Sequence, residues 1–176
     1  MTPFDRCFDL LIGHEGGYSR DPQDRGNWTG GAVNRGVLKG TKFGISAAAY
    51  PDVDIANLLL HEAKAIYKRD YWDRIQGDLL PPAIALVTFD AAVNAGPAGA
   101  GKFLQIAVGV RPDGIVGPAT LAAVEARQQA ALLVECLARR NEYNRTAPTA
   151  HIHGLGWSRR LFTLHQQALA LLVEEG

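Results

Sequence analysis

The chain is poor in the residues that usually announce a special class of protein. It has two cysteines and one methionine in 176 residues, and no net charge, with 18 Lys and Arg against 18 Asp and Glu. Cys7 and Cys136, both in apolar helical contexts, are too few for a disulfide framework and read as buried thiols. His151-x-His153 lacks the further nearby ligands that a zinc site needs, so neither a metal nor an organic cofactor is expected. Zero net charge excludes a chain-wide footprint for nucleic acid. Long apolar runs are missing too. The richest stretches, about residues 81–95 and 161–173, are broken by polar residues and too short for a bilayer, so stable membrane insertion is not expected. Met-Thr-Pro-Phe-Asp-Arg has no basic region leading into an apolar run; a secretory signal is not expected, and synthesis in the cytoplasm is. No period of 20–50 residues marks a solenoid.

What is present fits an ordinary soluble domain: 47% hydrophobic and 20% charged residues, in a chain long enough to bury a core. Phe4, Cys7, Phe8 and Leu11 recur at helical spacing, with Thr2 as a candidate N-cap and Pro3 at the first helical position. Residues 18–45 read as a long ordered loop, punctuated by Asp21-Pro22, Gly30-Gly31 and Lys39-Gly40 and with room for a minor β-hairpin. Ser46 is a candidate cap for a short helix before Pro51. Further helices are predicted over about 54–71, from Pro81-Pro82 to Asn94, from Ala98 to Gly109, from Pro118, over 130–145, and from about Leu155 to the end. Six to eight helices with little strand make the class mainly α.

One stretch carries more than fold. In Gly13-His14-Glu15-Gly16-Gly17-Tyr18 the glycine pair is expected to end the first helix, which leaves Glu15 beside the carbonyl end of the dipole. A carboxylate is disfavoured there, so its pKa is expected to rise, as a general acid requires. A solvated glutamate next to a glycine cap satisfies the same local pattern. Asp24 follows after eight residues. If the loop folds back, two carboxyls face a common cleft, the equipment for cleaving a glycosidic bond. Asp21 is a rival for the second carboxylate; Thr41 could supply a hydroxyl nearby, with Thr29 as its rival. Residues 20–42 hold five cations against two acids, either a patch for an anionic polymer or a solvated loop.

Phe8-x-x-Leu11-x-x-x-Glu15-Gly-Gly-Tyr18, then Asp21-Pro22, then Thr41-Lys-Phe-Gly-Ile45 resembles the signature of glycoside hydrolase family 108, which includes phage and prophage endolysins of N-acetylmuramidase type. The order Glu15, Asp24, Thr41 is also similar to the Glu/Asp/Thr triad of phage-type lysozymes, although an insertion carries Thr41 further from the aspartate than in those enzymes. Downstream, Phe89-Asp90-x-Ala-Val-Asn94-x-Gly96, Leu104-Gln105, Asp113-Gly-Ile-Val-Gly-Pro-x-Thr120-Leu121 and Trp157-x-x-Arg160 resemble the peptidoglycan-binding module that follows in that family.

The resemblance implies a lysozyme-like helical fold, with a catalytic part at 1–78 and a peptidoglycan-binding-like part at 79–176 packed as one globular unit. It implies a bacteriolytic, cell-wall-degrading hydrolase that cuts the β-1,4 bond between N-acetylmuramic acid and N-acetylglucosamine. Glu15 would be the general acid, with Asp24 and Thr41 assisting. Tyr18 and Trp28 offer flat faces for pyranose rings, as do Tyr50, Tyr71 and Trp72 if they are not core; Asn94 and Gln105 offer paired donors and acceptors. The expected partner is the peptidoglycan glycan strand, met by a monomer at the cell wall, with a holin-type pore or dedicated exporter as the release route. A non-catalytic wall binder or secretion accessory, a structural part of a phage particle, and a lytic transglycosylase are the competing readings.

Overall fold

A computed structural model of the chain describes residues 1–12 and 17–174. Among these residues are seven α-helices: α1 Pro3–Leu11, α2 Leu60–Tyr67, α3 Pro82–Ala95, α4 Pro97–Val108, α5 Pro118–Glu125, α6 Gln129–Thr146 and α7 Ala150–Glu174. The strands β1 Thr41–Lys42 and β2 Ile45–Ser46 form an antiparallel pair, and the class is mainly α as expected. The chain divides into two compact units, Phe8–Tyr67, and Met1–Cys7 with Lys68–Gly176.

The helical unit is built around α3. Every residue from Ala83 to Ala92 is buried, and the helix packs against α4, α6, α7 and the π-helical turn Lys68–Trp72. A helix apolar on every side has to be central. Pro82 opens it at a position where no amide partner is lost, and Gly96 at φ 78° closes it directly before Pro97 opens α4. Phe4, Trp72 and Phe89 meet edge to face, with ring centroids 5.5–6.0 Å apart. The one carboxylate within α3, Asp90, is 1% exposed and accepts from Arg160 of α7 at 2.7 Å (Nε) and 2.6 Å (Nη2). Gly101 of α4 lets the turn after it approach closely: a Cβ there would sit 2.6 Å from the Gly114 carbonyl oxygen.

The 8–67 unit holds its shape largely through loop hydrogen bonds. Its hairpin pairs Thr41 with Ser46 and Lys42 with Ile45. The two loop residues, Phe43 (φ 51°) and Gly44 (φ 74°), are both left-handed, which is the geometry of a type I′ turn. The Tyr67 hydroxyl donates to the Phe43 carbonyl at 3.1 Å and lies where a side chain at 44 would begin. Bridges join Ser19 to Thr41 and Trp28 to Leu38, so residues 18–45 are an ordered, self-bonded loop.

Three boundaries differ from the sequence reading. The helix predicted from Asp54 begins at Leu60, because Asp54 accepts from the Asn57 backbone and side chain (3.4 and 2.9 Å) and holds a turn there. Glu62 reaches back to the Leu59 amide at 2.7 Å and caps the real start. After Ser46 there is a single turn, not a short helix: the Ser46 hydroxyl accepts from Ala49 N at 3.3 Å and its carbonyl from Tyr50 N at 2.9 Å. The last helix begins at Ala150, not Leu155, and runs through Gly154 and Gly156. Two interior glycines cost about 1 kcal/mol each, which a 25-residue helix packed along α3 and α6 absorbs.

Candidate active site

The candidate residues of the 8–67 unit converge on a side chain that the sequence reading passed over. Asn27 is fully buried. Its Nδ2 donates to the Asp21 carbonyl at 3.0 Å, and its Oδ1 accepts from the Thr41 hydroxyl at 2.7 Å. Its backbone carbonyl accepts from Lys39 N and Gly40 N, both at 3.0 Å, and its own amide donates to the Asp24 carbonyl at 3.1 Å. One asparagine therefore binds the Asp21–Asp24 turn to strand β1 with all its polar groups satisfied, as a buried amide must be. No sequence signal singled it out, since Arg25-Gly-Asn27 looks like one more turn. A carboxamide lying between two candidate carboxylates and a candidate threonine was the only hint.

Both rival carboxylates are exposed and brace turns. Asp21 Oδ1 accepts from Gln23 N, and Asp24 Oδ1 from Gly26 N, each at 2.8 Å. Asp24 in this way caps the short 3-10 turn Arg25–Asn27. Thr41 is tied to Ser19 by two backbone bonds of 2.8 and 2.9 Å as well as to Asn27. Thr29 instead accepts from Val37 N at 2.9 Å and belongs to the tip of the loop. Tyr18 is exposed and donates its hydroxyl to the Lys39 carbonyl at 3.0 Å, with its ring against Gly40. Trp28, half-buried, donates Nε1 to the Pro22 carbonyl at 2.9 Å. Tyr18, Asp21, Asp24, Trp28 and Thr41 thus share one hydrogen-bonded framework. Glu15, with the glycine cap and the raised pKa expected for it, lies outside the described residues.

The cationic stretch has a local structural use. Arg20 Nε donates to the Leu38 carbonyl at 3.2 Å, Lys42 Nζ to that of Ala56 at 3.1 Å, and Lys39 Nζ to that of Pro51 at 2.5 Å. Arg25 and Arg35 remain exposed on the loop.

The other two candidate substrate ligands stand in the helical unit. Asn94 is exposed and turns its Nδ2 back to the Asp90 carbonyl at 2.7 Å. Gln105 is 2% exposed, and its carboxamide braces the turn before α5. Nε2 donates to Asp113 Oδ1 at 2.7 Å, to the Ile115 carbonyl at 3.0 Å and to the Thr120 hydroxyl at 3.2 Å, while Oε1 accepts from Gly114 N at 2.8 Å. The Ile115 amide and Gln105 together hold the Asp113 carboxyl below the usual carboxylate range. Trp72 is wholly buried, which makes it core and not a sugar platform.

Cys7 and Cys136 are free buried thiols, both pushed up to about 12 by burial. Among the described residues no group of three His, Cys, Asp or Glu side chains is placed to hold a metal ion, and no helix is long and apolar enough to cross a membrane.

Comparison with known proteins divides the chain at a different place, after α3 instead of after Tyr67. The sequence model of the family described as glycosyl hydrolase 108 matches residues 8–96, and that of the predicted peptidoglycan domain matches 99–162. Among solved structures, SagA of Brucella abortus is 31% identical, covers 96% of this chain and 94% of its own, and superposes with a TM-score of 0.80. With the helix content, that likeness bears out the lysozyme-like, mainly α expectation. No curated protein matches.

Proposed function

The chain belongs to the glycosyl hydrolase 108 family, and from that membership we propose that it is an N-acetylmuramidase with Glu15 as its general acid. With a peptidoglycan domain following the glycosidase segment, it is a hydrolase that acts on peptidoglycan at the cell wall. The finer reading is cleavage of the β-1,4 bond between N-acetylmuramic acid and N-acetylglucosamine, in the service of a phage or prophage endolysin.

The observation that supports this reading is the Asn27 node. It fixes the aspartate turn and Thr41 as one rigid piece, in the same 60-residue unit whose sequence contains Glu15. Because Asn27 Nδ2 is engaged by Asp21, Asn27 Oδ1 must accept, and the Thr41 hydroxyl must donate to it. Thr41 then presents lone pairs outward and can accept a hydrogen bond from water, a defined polarity for a residue that orients the attacking molecule. Glu15 protonates the leaving glycosidic oxygen. Asp24, with Asp21 as the alternative, activates that water or stabilises the oxocarbenium-like state. In the 8–67 unit Tyr18 and Trp28 are the candidate sugar-facing side chains; in the helical unit, taken by itself, Asn94 and Gln105 are the candidate glycan ligands.

Glu15→Gln keeps the side-chain shape and removes the proton. It is expected to abolish release of reducing ends from purified peptidoglycan, with an unchanged circular dichroism spectrum. Wild-type clearance by that variant defeats the assignment. Product masses read the bond: reducing muramic acid ends for hydrolysis, anhydromuramic ends for a transglycosylase, and none for a wall binder without turnover.

A further inference from the structure

Resting on the reading of the chain as a peptidoglycan hydrolase with a wall-binding segment, we infer that the cleft between the end of α6 and the start of α7 is a subsite for an N-acetylated amino sugar bearing a carboxylate. The cleft has an open volume of about 220 Å³, and its walls are Asn141, Asn144 and Arg145 of α6 with Gly154, Trp157 and Ser158 of α7. It lies within the segment matched by the peptidoglycan domain.

Each wall supplies a different part of such a ligand's chemistry. Trp157 is half-buried and its indole is steadied by the His153 ring, 5.8 Å away at 42°, giving a fixed flat face for a pyranose. Asn141 and Asn144 stand one helical turn apart, and among the described residues neither carboxamide is bonded, so both offer donors and acceptors to hydroxyl or acetamido groups. Arg139 gathers the neighbouring acids Glu135 and Glu142 at 2.8 and 3.3 Å. Arg145 is thereby left with no acid among the described residues, and its guanidinium is available to a carboxylate. The Ser158 hydroxyl donates to the Gly154 carbonyl at 2.9 Å and keeps its lone pairs for the ligand.

Gly154 adds an observation that helix packing leaves unexplained. A Cβ there would meet no atom within 4 Å, so nothing in the fold requires glycine, and glycine is the poorest residue in a helix interior after proline. A glycine lining a cleft keeps it open. In peptidoglycan the carboxylate has two sources, the lactyl group of a peptide-free muramoyl unit or the stem peptide, and Arg145 suits both.

The test is co-sedimentation of the full chain on ice with purified sacculi, in intact and in peptide-free form. The double variant Asn144→Ala with Arg145→Ala is compared with Arg127→Ala, which removes one charge just before the far end of α6, a helix that rises about 24 Å from its first residue, Gln129, to Arg145. The double variant is expected to raise the apparent Kd about tenfold or more, with an unchanged circular dichroism spectrum, while Arg127→Ala binds as wild type. Trp157→Phe should remove the part of the fluorescence change, on titrating a soluble muropeptide, that survives in a Trp28→Phe background. Loss confined to one form of sacculus assigns the carboxylate and supports the subsite. Wild-type sedimentation by the double variant, or an equal loss in Arg127→Ala, overturns it. If the wild type neither sediments nor releases reducing ends, the hydrolase reading itself falls; if it releases ends while the double variant still binds, the subsite falls alone.

Discussion

The two compact units hold themselves together by different means. In the helical unit, ten consecutive residues of α3 are out of solvent, and the helices around it are fixed by side-chain packing. In the 8–67 unit, a small cluster including Phe8, Ile45, Ile55 and Ile66 supports a loop whose geometry comes from backbone turns, two left-handed hairpin residues and the groups around Asn27. Burial is tolerant of detail and gives bulk stability, at roughly 25 cal/mol per Å² of apolar surface. Hydrogen bonds give little net stability, about 1 kcal/mol each, but they fix direction. Chemistry on a sugar needs direction, and Asp21, Asp24 and Thr41, the candidates for the chemical step among the described residues, fall in the unit built that way.

The sharpest way to break this contrast is to take one polar contact from each side. Arg160→Ala leaves Asp90, 1% exposed, without its hydrogen-bonded cation, with the buried Arg140 the remaining positive charge near it. Loss of one partner of a buried pair costs about 3–5 kcal/mol, and with Arg160 itself 43% exposed the lower end, about 3 kcal/mol, is expected from urea unfolding. Asn27→Ala removes two side-chain hydrogen bonds from a sealed position and should cost about 2 kcal/mol, yet reduce peptidoglycan turnover by orders of magnitude. Its hydrogen exchange should rise over 18–42 and stay native across α3. If Asn27→Ala loosens α3 as much as Arg160→Ala does, the units are not distinct. The smallest effect belongs to the turn before α5. Asp113 has a folded pKa below its unfolded one, so its contribution to stability is complete above the unfolded value and is lost as pH falls through the folded one. Asp113→Asn should therefore flatten the urea midpoint against pH on the acid side only.

The helices of residues 82–146 were legible because proline opens and glycine closes several of them, a chemical rule that acts within a few residues. The start of α7 was not, because Gly154 and Gly156 look like a connection and only the neighbouring helices make them helical. The candidate site was half legible. Asp21, Asp24, Thr41, Tyr18 and Trp28 carry side chains whose chemistry shows in their names. Asn27 acts through where it points, and Gln105, picked for its donors and acceptors, directs all of them to its own turn. Direction and burial are tertiary facts that residue type does not encode.

The Arg160 to Asp90 contact joins residues 70 positions apart, one in each of the two family segments. Those segments meet between residues 96 and 99, yet α3 on one side and α4, α6 and α7 on the other form a single packed body. A chain cut at that seam would expose the most apolar helix of the molecule and strand a carboxylate in it. The glycosidase and wall-binding segments are consequently not beads that recombination or an engineer can exchange. A chimera that keeps its partner's α3 together with the helices around it should fold, and one joined at the family boundary should not.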